Sequence, residues 1–159
     1  MNIYLIRHGK AEPVFPGKKD DERNLTKEGS LIVEASANNW KEFVQDFDHI
    51  FTSPFIRAKQ TARIISNVFH FQGNIVEDSV LAPGSVTRNI IELANAINGN
   101  DIAFIGHQPD MSYHISDFIS GKEVNLKFSP SSIAKISFEN GAASGKGILM
   151  FLLPPALIK

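Results

Sequence analysis

Short apolar runs alternate along the chain with longer segments in which apolar residues recur every three or four positions. The runs predict strands at residues 2–6, 49–52 and 102–105, and a weaker one at 74–76. The periodic segments predict helices that begin near residues 26, 53, 85 and 109. Two last runs, at residues 133–138 and 147–153, flank a glycine-rich turn and are typical of an antiparallel strand pair.

This order of elements predicts an α/β fold with three layers. A mainly parallel central sheet is flanked by helices, and the antiparallel strand pair lies at the C-terminus. The 159 residues suffice to bury one substantial core. Because no repeat, linker or low-complexity segment is visible, we expect a single domain over residues 1–159.

The helical period also assigns side chains to buried or exposed faces. Thr26 is expected to cap a first helix that runs to about residue 45, with Leu31 and Phe43 on its inner side. His114 is expected on a partly exposed face of the last helix.

Composition narrows the class of protein. Sixteen basic and seventeen acidic residues give a net charge of -1, which predicts neither a nucleic-acid nor a membrane partner. The absence of cysteine excludes disulfides and thiol catalysis. The longest apolar run, residues 148–153, is too short to span a bilayer, and no secretory signal is visible. We therefore expect a soluble cytoplasmic protein, and the sequence makes no prediction of its oligomeric state.

Basic residues follow the predicted strands at three separate places. Arg7 and His8 end the first strand, Arg57 lies in the first turn of the helix after the second, and His107 ends the strand at 102–105. Ligands of open α/β sheets bind beyond the carboxyl ends of the strands. We therefore expect these four side chains to converge at one edge of the sheet.

Two of these residues have more than one interpretation when taken alone. Arg57 lies at the positive end of a helix dipole, which suits a bound anion such as phosphate, because backbone N–H groups and a guanidinium would both face it. The alternative is an exposed arginine paired with a carboxylate elsewhere. A histidine that follows a strand, as His8 does, is more often structural or simply exposed when it is taken alone.

Three segments, taken in order, resemble the histidine phosphatase (phosphoglycerate mutase-like) superfamily: "LIRHGKAE", "TSPFIRAKQTA" and "FIGHQP". The short chain, "LAPGS" at 81–85 and "SPSSIAKISF" at 129–138 look most like the SixA-type protein-histidine phosphatases. The resemblance implies that His8 is the nucleophile and that Arg7, Arg57 and His107 form a phosphate pocket. It implies no cofactor.

Further candidates adjoin these residues. Ser53 and Gln108 are candidate substrate contacts by their position, and Arg23 precedes "NLT" much as a basic residue does in SixA-like proteins. The rest of the charged run at 18–23 is expected to be a solvated loop. The other histidines lack a metal-ligand spacing, so no metal site is predicted.

One departure from the larger family bears on the substrate. Its mutases and many of its acid phosphatases place a carboxylic acid in the middle segment to protonate an alkoxide leaving group. Residues 81–85 hold no acid here, although Glu77 and Asp78 lie just upstream and stay candidates. An imidazole leaving from phosphohistidine needs less help, because its far nitrogen can already carry a proton.

The predicted function is removal of phosphate from a phosphohistidine of a signalling or phosphocarrier protein. The predicted mechanism is a covalent phosphohistidine intermediate on His8. One alternative is a general small-molecule phosphomonoesterase of the same superfamily. The other is a module that binds a phosphorylated ligand without turnover.

Overall fold

The computed structural model describes residues 1–157, and these form one α/β domain of six strands and four α-helices. The strands are β1 Asn2–Arg7, β2 His49–Thr52, β3 Ile75–Glu77, β4 Asp101–Gly106, β5 Ile133–Ser137 and β6 Ile148–Leu153. The helices are α1 Lys27–Trp40, α2 Ile56–Phe69, α3 Thr87–Ala96 and α4 Asp110–Ser120. Two short 3₁₀ turns lie at Asp20–Glu22 and Ser79–Leu81.

All six strands form one sheet in the order β3-β2-β4-β1-β5-β6. The pairings β1 with β4, β2 with β4 and β2 with β3 are parallel. Strand β5 runs antiparallel to both β1 and β6. The predicted fold class, a mainly parallel sheet with a C-terminal antiparallel pair, is confirmed.

The two faces of the sheet carry separate cores, as the alternation along β1 shows. Ile3 and Leu5 pack with residues of α3 and α4, whereas Tyr4 and Ile6 pack with residues of α1 and α2. Successive side chains of a strand point to opposite faces, so an entirely apolar strand has to be covered on both sides. The result is the expected three-layer arrangement.

The first helix differs from its prediction. It ends at Trp40 rather than near residue 45, and the amides of Phe43 and Val44 both donate to the Trp40 carbonyl in the turns that follow. Leu31 is 48% exposed and Phe43 57% exposed, so the prediction that both face inward was wrong. The buried stripe of α1 passes instead through Val33, Ala37 and Trp40.

His114 is fully buried, so the prediction of a partly exposed face was also wrong. Both ring nitrogens have hydroxyl partners at the start of α3: Ser85 Oγ lies 3.0 Å from Nε2 and Thr87 Oγ1 lies 2.8 Å from Nδ1. These contacts satisfy the ring inside the protein. Burial lowers the pKa of His114 to about 4.

Candidate active site

The two site histidines come from neighbouring parallel strands. The register places Arg7 of β1 opposite Gly106 of β4, so His8 and His107 follow at the same level. The His8 amide donates to the Gly106 carbonyl at 3.1 Å, and the two imidazole centroids lie 5.0 Å apart. The carboxyl ends of β1 and β4 thus bring both rings to one edge of the sheet.

Strand β2 and helix α2 supply the third part of this edge. The Ser53 amide donates to the Ile105 carbonyl, which ties the end of β2 to β4. Two residues beyond the N-cap Phe55, Arg57 reaches back across the edge, and its Nε donates to His8 Nε2 at 3.2 Å. Arg7, His8, Arg57 and His107 form what we call the strand-end cluster.

The tautomer of His8 follows from its two partners. Nδ1 lies 2.7 Å from the Gly9 carbonyl, which can only accept, so Nδ1 carries the proton. Nε2 faces the Arg57 Nε–H, which can only donate, so Nε2 presents its lone pair. Burial lowers the pKa of His8 to about 4, and the charges of Arg57, Arg7 and Arg23 add to the effect against the opposing Gly9 hydrogen bond. The ring is therefore neutral near pH 7, and its unprotonated Nε2 can act as a nucleophile once its lone pair is released from the hydrogen bond with Arg57.

A close backbone approach holds the loop that carries His8. A Cβ on Gly29 would overlap the carbonyl oxygen of Lys10, and a Cβ on Gly9 would meet Val33 Cγ2 at 2.5 Å. The Gly9 amide donates to Thr61 Oγ1 at 3.1 Å, which joins the loop to α2. Glycine is therefore required after His8 because this turn packs directly against α1.

Arg7 is held from one side of its guanidinium. Its Nη1 donates to the Phe128 carbonyl at 2.9 Å. Its Nε is buried and has no partner within residues 1–157. A buried donor without a partner is costly, so an anion that accepted from it would be stabilised.

His107 is held by Ser53 and shielded by Phe55. Its Nε2 lies 2.7 Å from Ser53 Oγ, and the ring of Phe55 packs edge-on at a centroid distance of 5.1 Å. Its Nδ1 is buried without a partner in the described part of the chain. Burial lowers the pKa of His107 to about 3, with the charges of His8 and Arg57 acting in the same direction. The unliganded ring is thus neutral and available for hydrogen bonding.

The structure adds Asp20, which the sequence had left inside a solvated loop. The Asp20 carbonyl accepts from Arg57 Nη1 at 2.6 Å, and its Oδ2 accepts from Arg57 Nη2 at 3.0 Å. Its Oδ1 accepts from Arg23 Nε at 2.8 Å. The spacing of Asp20 and Arg23 was a signal for that pair, whereas the contact with Arg57 spans 37 residues and left no trace in the local pattern.

Arg23 lies beside the strand-end cluster. Its Nη1 donates to the Glu12 carbonyl at 2.7 Å, and its charge contributes to the lowered pKa of His8. Gln108 behaves differently, because both ends of its amide bind Ser112 in the first turn of α4. Its Nε2 donates to Ser112 Oγ at 2.6 Å, and its Oε1 accepts from the Ser112 amide at 3.1 Å. Of the three candidate substrate contacts, Ser53 therefore contacts the cluster directly, Arg23 borders it, and Gln108 is engaged by α4.

The two upstream acids have other partners. Glu77 is exposed and pairs with Lys59 Nζ at 3.4 Å. Asp78 caps the second 3₁₀ turn, where its Oδ1 accepts from the Val80 amide at 2.9 Å. Neither carboxylate is hydrogen-bonded to the strand-end cluster.

Two features are absent from residues 1–157. No cluster of three or more histidine, cysteine, aspartate or glutamate side chains in this range could hold a metal ion. No helix in the same range is long and apolar enough to cross a bilayer.

The fold and the strand-end cluster agree with a family match. The family model of the histidine phosphatase superfamily (branch 1) matches residues 3–81, which include Arg7, His8 and Arg57. The chain belongs to the histidine phosphatase superfamily.

Similar proteins match over nearly the whole chain. The phosphohistidine phosphatase SixA of Escherichia coli (strain K12) is 24% identical over 162 aligned positions, covering 100% of this chain and 97% of that protein. A SixA homolog of Haemophilus influenzae is 22% identical and covers 99% of this chain and 98% of its own. The solved structure of the protein histidine phosphatase SixA complexed with tungstate has a TM-score of 0.82 at 23% identity and covers 96% of both chains. The chain therefore shares the fold of SixA.

Proposed function

We propose that the protein is a cytoplasmic, metal-independent phosphatase that removes the phosphoryl group from phosphohistidine of a signalling or phosphocarrier protein. The observation that carries the proposal is the neutral His8, whose Nε2 lone pair lies beside Arg57 Nε. The similarity to proteins named phosphohistidine phosphatase supports the substrate class.

In the first step, His8 Nε2 attacks phosphorus in line with the leaving group. A bond forms between Nε2 and phosphorus, and the bond between phosphorus and the substrate imidazole breaks. The leaving imidazole takes the bonding electron pair and keeps the proton on its far nitrogen. The buried donors of Arg7, Arg57 and His107 stabilise the charge on the equatorial oxygens.

In the second step, water attacks the phosphorus of phospho-His8. The bond from Nε2 to phosphorus breaks, Nε2 regains its lone pair, and inorganic phosphate forms. The hydrogen bond from Nδ1 to the Gly9 carbonyl keeps the ring in the same orientation through both steps. The enzyme therefore returns to its starting tautomer after each turnover.

The acids near the cluster support an imidazole leaving group rather than an alkoxide. Although burial alone would raise the pKa of Asp20, Arg57 and Arg23 outweigh it and hold that pKa below its usual range. Asp20 is therefore an ionised acceptor at neutral pH and a poor proton donor. Glu77 and Asp78 are engaged elsewhere. An alkoxide, which leaves poorly without a proton, lacks an evident donor.

The test compares three substrates side by side: a phosphohistidine protein, a phosphoserine peptide and p-nitrophenyl phosphate. We expect kcat/KM to fall in the order phosphohistidine, aryl phosphate, alkyl phosphate. We expect His8→Asn to lose essentially all turnover and His70→Asn to retain it, because His70 is an exposed histidine at the end of α2. Acid-labile phosphate trapped on His8 during turnover would identify the intermediate.

Other outcomes favour the alternatives. Hydrolysis of the phosphoserine peptide as efficient as that of phosphohistidine would indicate a general phosphomonoesterase. Binding of inorganic phosphate without turnover of any of the three substrates would indicate a binding module. Substantial activity in His8→Asn would end the covalent mechanism.

A further inference from the structure

Arg57 is buried deeply for an arginine, and every nitrogen of its guanidinium has a partner. Its side chain is 4% exposed. Nε donates to His8 Nε2, Nη1 donates to the Asp20 carbonyl, and Nη2 donates to Asp20 Oδ2. Asp20, which lies in the 3₁₀ turn Asp20–Glu22, therefore accepts hydrogen bonds from two of the three nitrogens.

The geometry of the guanidinium explains why its nitrogens are divided between Asp20 and His8. The group is planar and carries five N–H donors, arranged along an end edge of Nη1 and Nη2 and a side edge of Nε and Nη2. Asp20 occupies the end edge through its carbonyl and Oδ2. The side edge, with the Nε–H and the second Nη2–H, is the one that Nε directs toward His8. A phosphoryl group on His8 Nε2 would meet that side edge, which suits two parallel hydrogen bonds.

Asp20 is itself anchored. Its Oδ1 accepts from Arg23 Nε, and Arg23 in turn bonds the Glu12 carbonyl. The same loop is fixed to α2, the helix that bears Arg57, because Gln60 accepts from the Leu25 amide at 2.7 Å. The anchor of the guanidinium and the base of its side chain therefore belong to one connected unit.

We propose that Asp20 is a positioning residue that holds Arg57 by its end edge, so that the side edge faces the phosphoryl group bound at His8. Asp20 acts through Arg57 and does not itself contact the phosphoryl group. The inference deepens the proposed function, on which it rests for the presence of a phosphoryl group at this site.

Removing the side chain of Asp20 distinguishes positioning from simple electrostatics, because loss of its charge and loss of its contact with Arg57 should change phosphate binding in opposite directions. An anion beside a phosphate site repels phosphate, so removing it should tighten phosphate binding if charge alone matters. Loss of alignment should weaken binding and turnover instead, since a displacement of about 1 Å can cost up to about 10²-fold in rate. Positioning therefore predicts a loss where simple electrostatics predicts a gain.

The test compares Asp20→Ala with Asp21→Ala, which removes the same charge from the same 3₁₀ turn. The Asp21 side chain makes no hydrogen bond within residues 1–157, so it is a matched control. We measure the affinity of each folded variant for inorganic phosphate and tungstate by calorimetry. We also measure kcat and KM with p-nitrophenyl phosphate. For Asp20→Ala we expect anion affinity to fall roughly tenfold and kcat/KM to fall roughly 10- to 100-fold.

A double-mutant comparison tests whether the effect passes through Arg57. Adding Asp20→Ala to Arg57→Ala should cause no further loss, because the group that Asp20 positions is already absent. Asp20→Asn should lie between wild type and Asp20→Ala, since the amide keeps one acceptor oxygen for two arginines. If Asp20→Ala does not fold, Asp20→Asn replaces it in the binding and rate measurements.

The proposal is overturned if Asp20→Ala binds phosphate as tightly as Asp21→Ala or more tightly. It is also overturned if the losses from Asp20→Ala and Arg57→Ala add in the double variant. The anion and aryl phosphate assays do not depend on phosphohistidine being the substrate. Failure of the wild type to dephosphorylate a phosphohistidine protein would therefore count against the substrate class and leave the Asp20 result intact.

Discussion

The protonation of His8 offers a direct test of the nucleophile, and the perturbation is a change of pH from 7 to 5. A histidine in water has a pKa near 6.5 and would be mostly cationic at pH 5. Burial and the charges of Arg57, Arg7 and Arg23 lower the pKa of His8 to about 4. About 90% of His8 should then stay neutral at pH 5, against about 3% of a free imidazole.

The assay is an NMR titration of protein labelled with ¹³C-histidine, in a buffer free of phosphate. The His8 signal is assigned by its absence from the His8→Asn spectrum, and a histidine peptide titrated in the same buffer gives the reference. Because His8 and His107 lie close together, their titrations are coupled. The midpoint of the first protonation therefore describes the pair of rings as well as His8 itself. A His8 midpoint at pH 6 or above would refute the reasoning that the site keeps a neutral nucleophile.

A substitution separates the causes of the lowered pKa. Arg57→Gln removes a positive charge beside Nε2, so the His8 midpoint should rise. It should not return to 6.5, because burial is the larger cause. Arg63→Gln removes the same charge from an exposed position on α2 and should leave the midpoint where it was. Equal shifts in the two variants would mean that net charge rather than the contact governs His8.

The remaining predictions concern metals, acids and acid stability. EDTA should leave the rate unchanged, and a loss restored by one divalent ion would contradict the proposed chemistry. Glu77→Gln and Asp78→Asn should each change phosphohistidine hydrolysis by well under the ~10²-fold typical of losing a general acid, and a larger loss would place a working acid in the site. Because the pKa of His114 is about 4 when folded and about 6.5 when unfolded, the unfolded chain binds more protons between these values and stability falls as the pH drops. Urea unfolding should show a loss of about 2 kcal/mol from this group between pH 7 and 5, and His114→Gln should reduce the pH dependence; an unchanged dependence would refute it.

Much of the fold could be predicted because β1 and β4 each contain a continuous apolar run, residues 3–6 and 102–105. Such runs require a cover on both faces, and their ends are marked by Arg7-His8 and by His107. That the four residues lie at one edge followed from the topology of parallel sheets.

The rest depended on contacts between segments far apart in the chain. His114 is buried because hydroxyls of Ser85 and Thr87 satisfy its ring, and helical periodicity gives no information on such partners. Asp20 looked solvated because its charged neighbours hide a contact with an arginine on another element. The acceptor for His8 Nδ1 was not identifiable either, since it is a backbone carbonyl that any sequence would offer.

The width of the site is set by backbone rather than by side-chain packing. Neighbouring strands of a sheet lie about 4.8 Å apart, and the imidazoles at the ends of β1 and β4 are separated by 5.0 Å. Repacking of the helix layers therefore cannot gradually increase the distance between the two imidazoles. A one-residue insertion in either strand would turn every later side chain to the opposite face and remove a histidine altogether. New substrates can consequently be accommodated at the rim, where the exposed residues 13–17 can change in length and charge while Asp20 keeps its contact with Arg57 and the two imidazoles keep their separation.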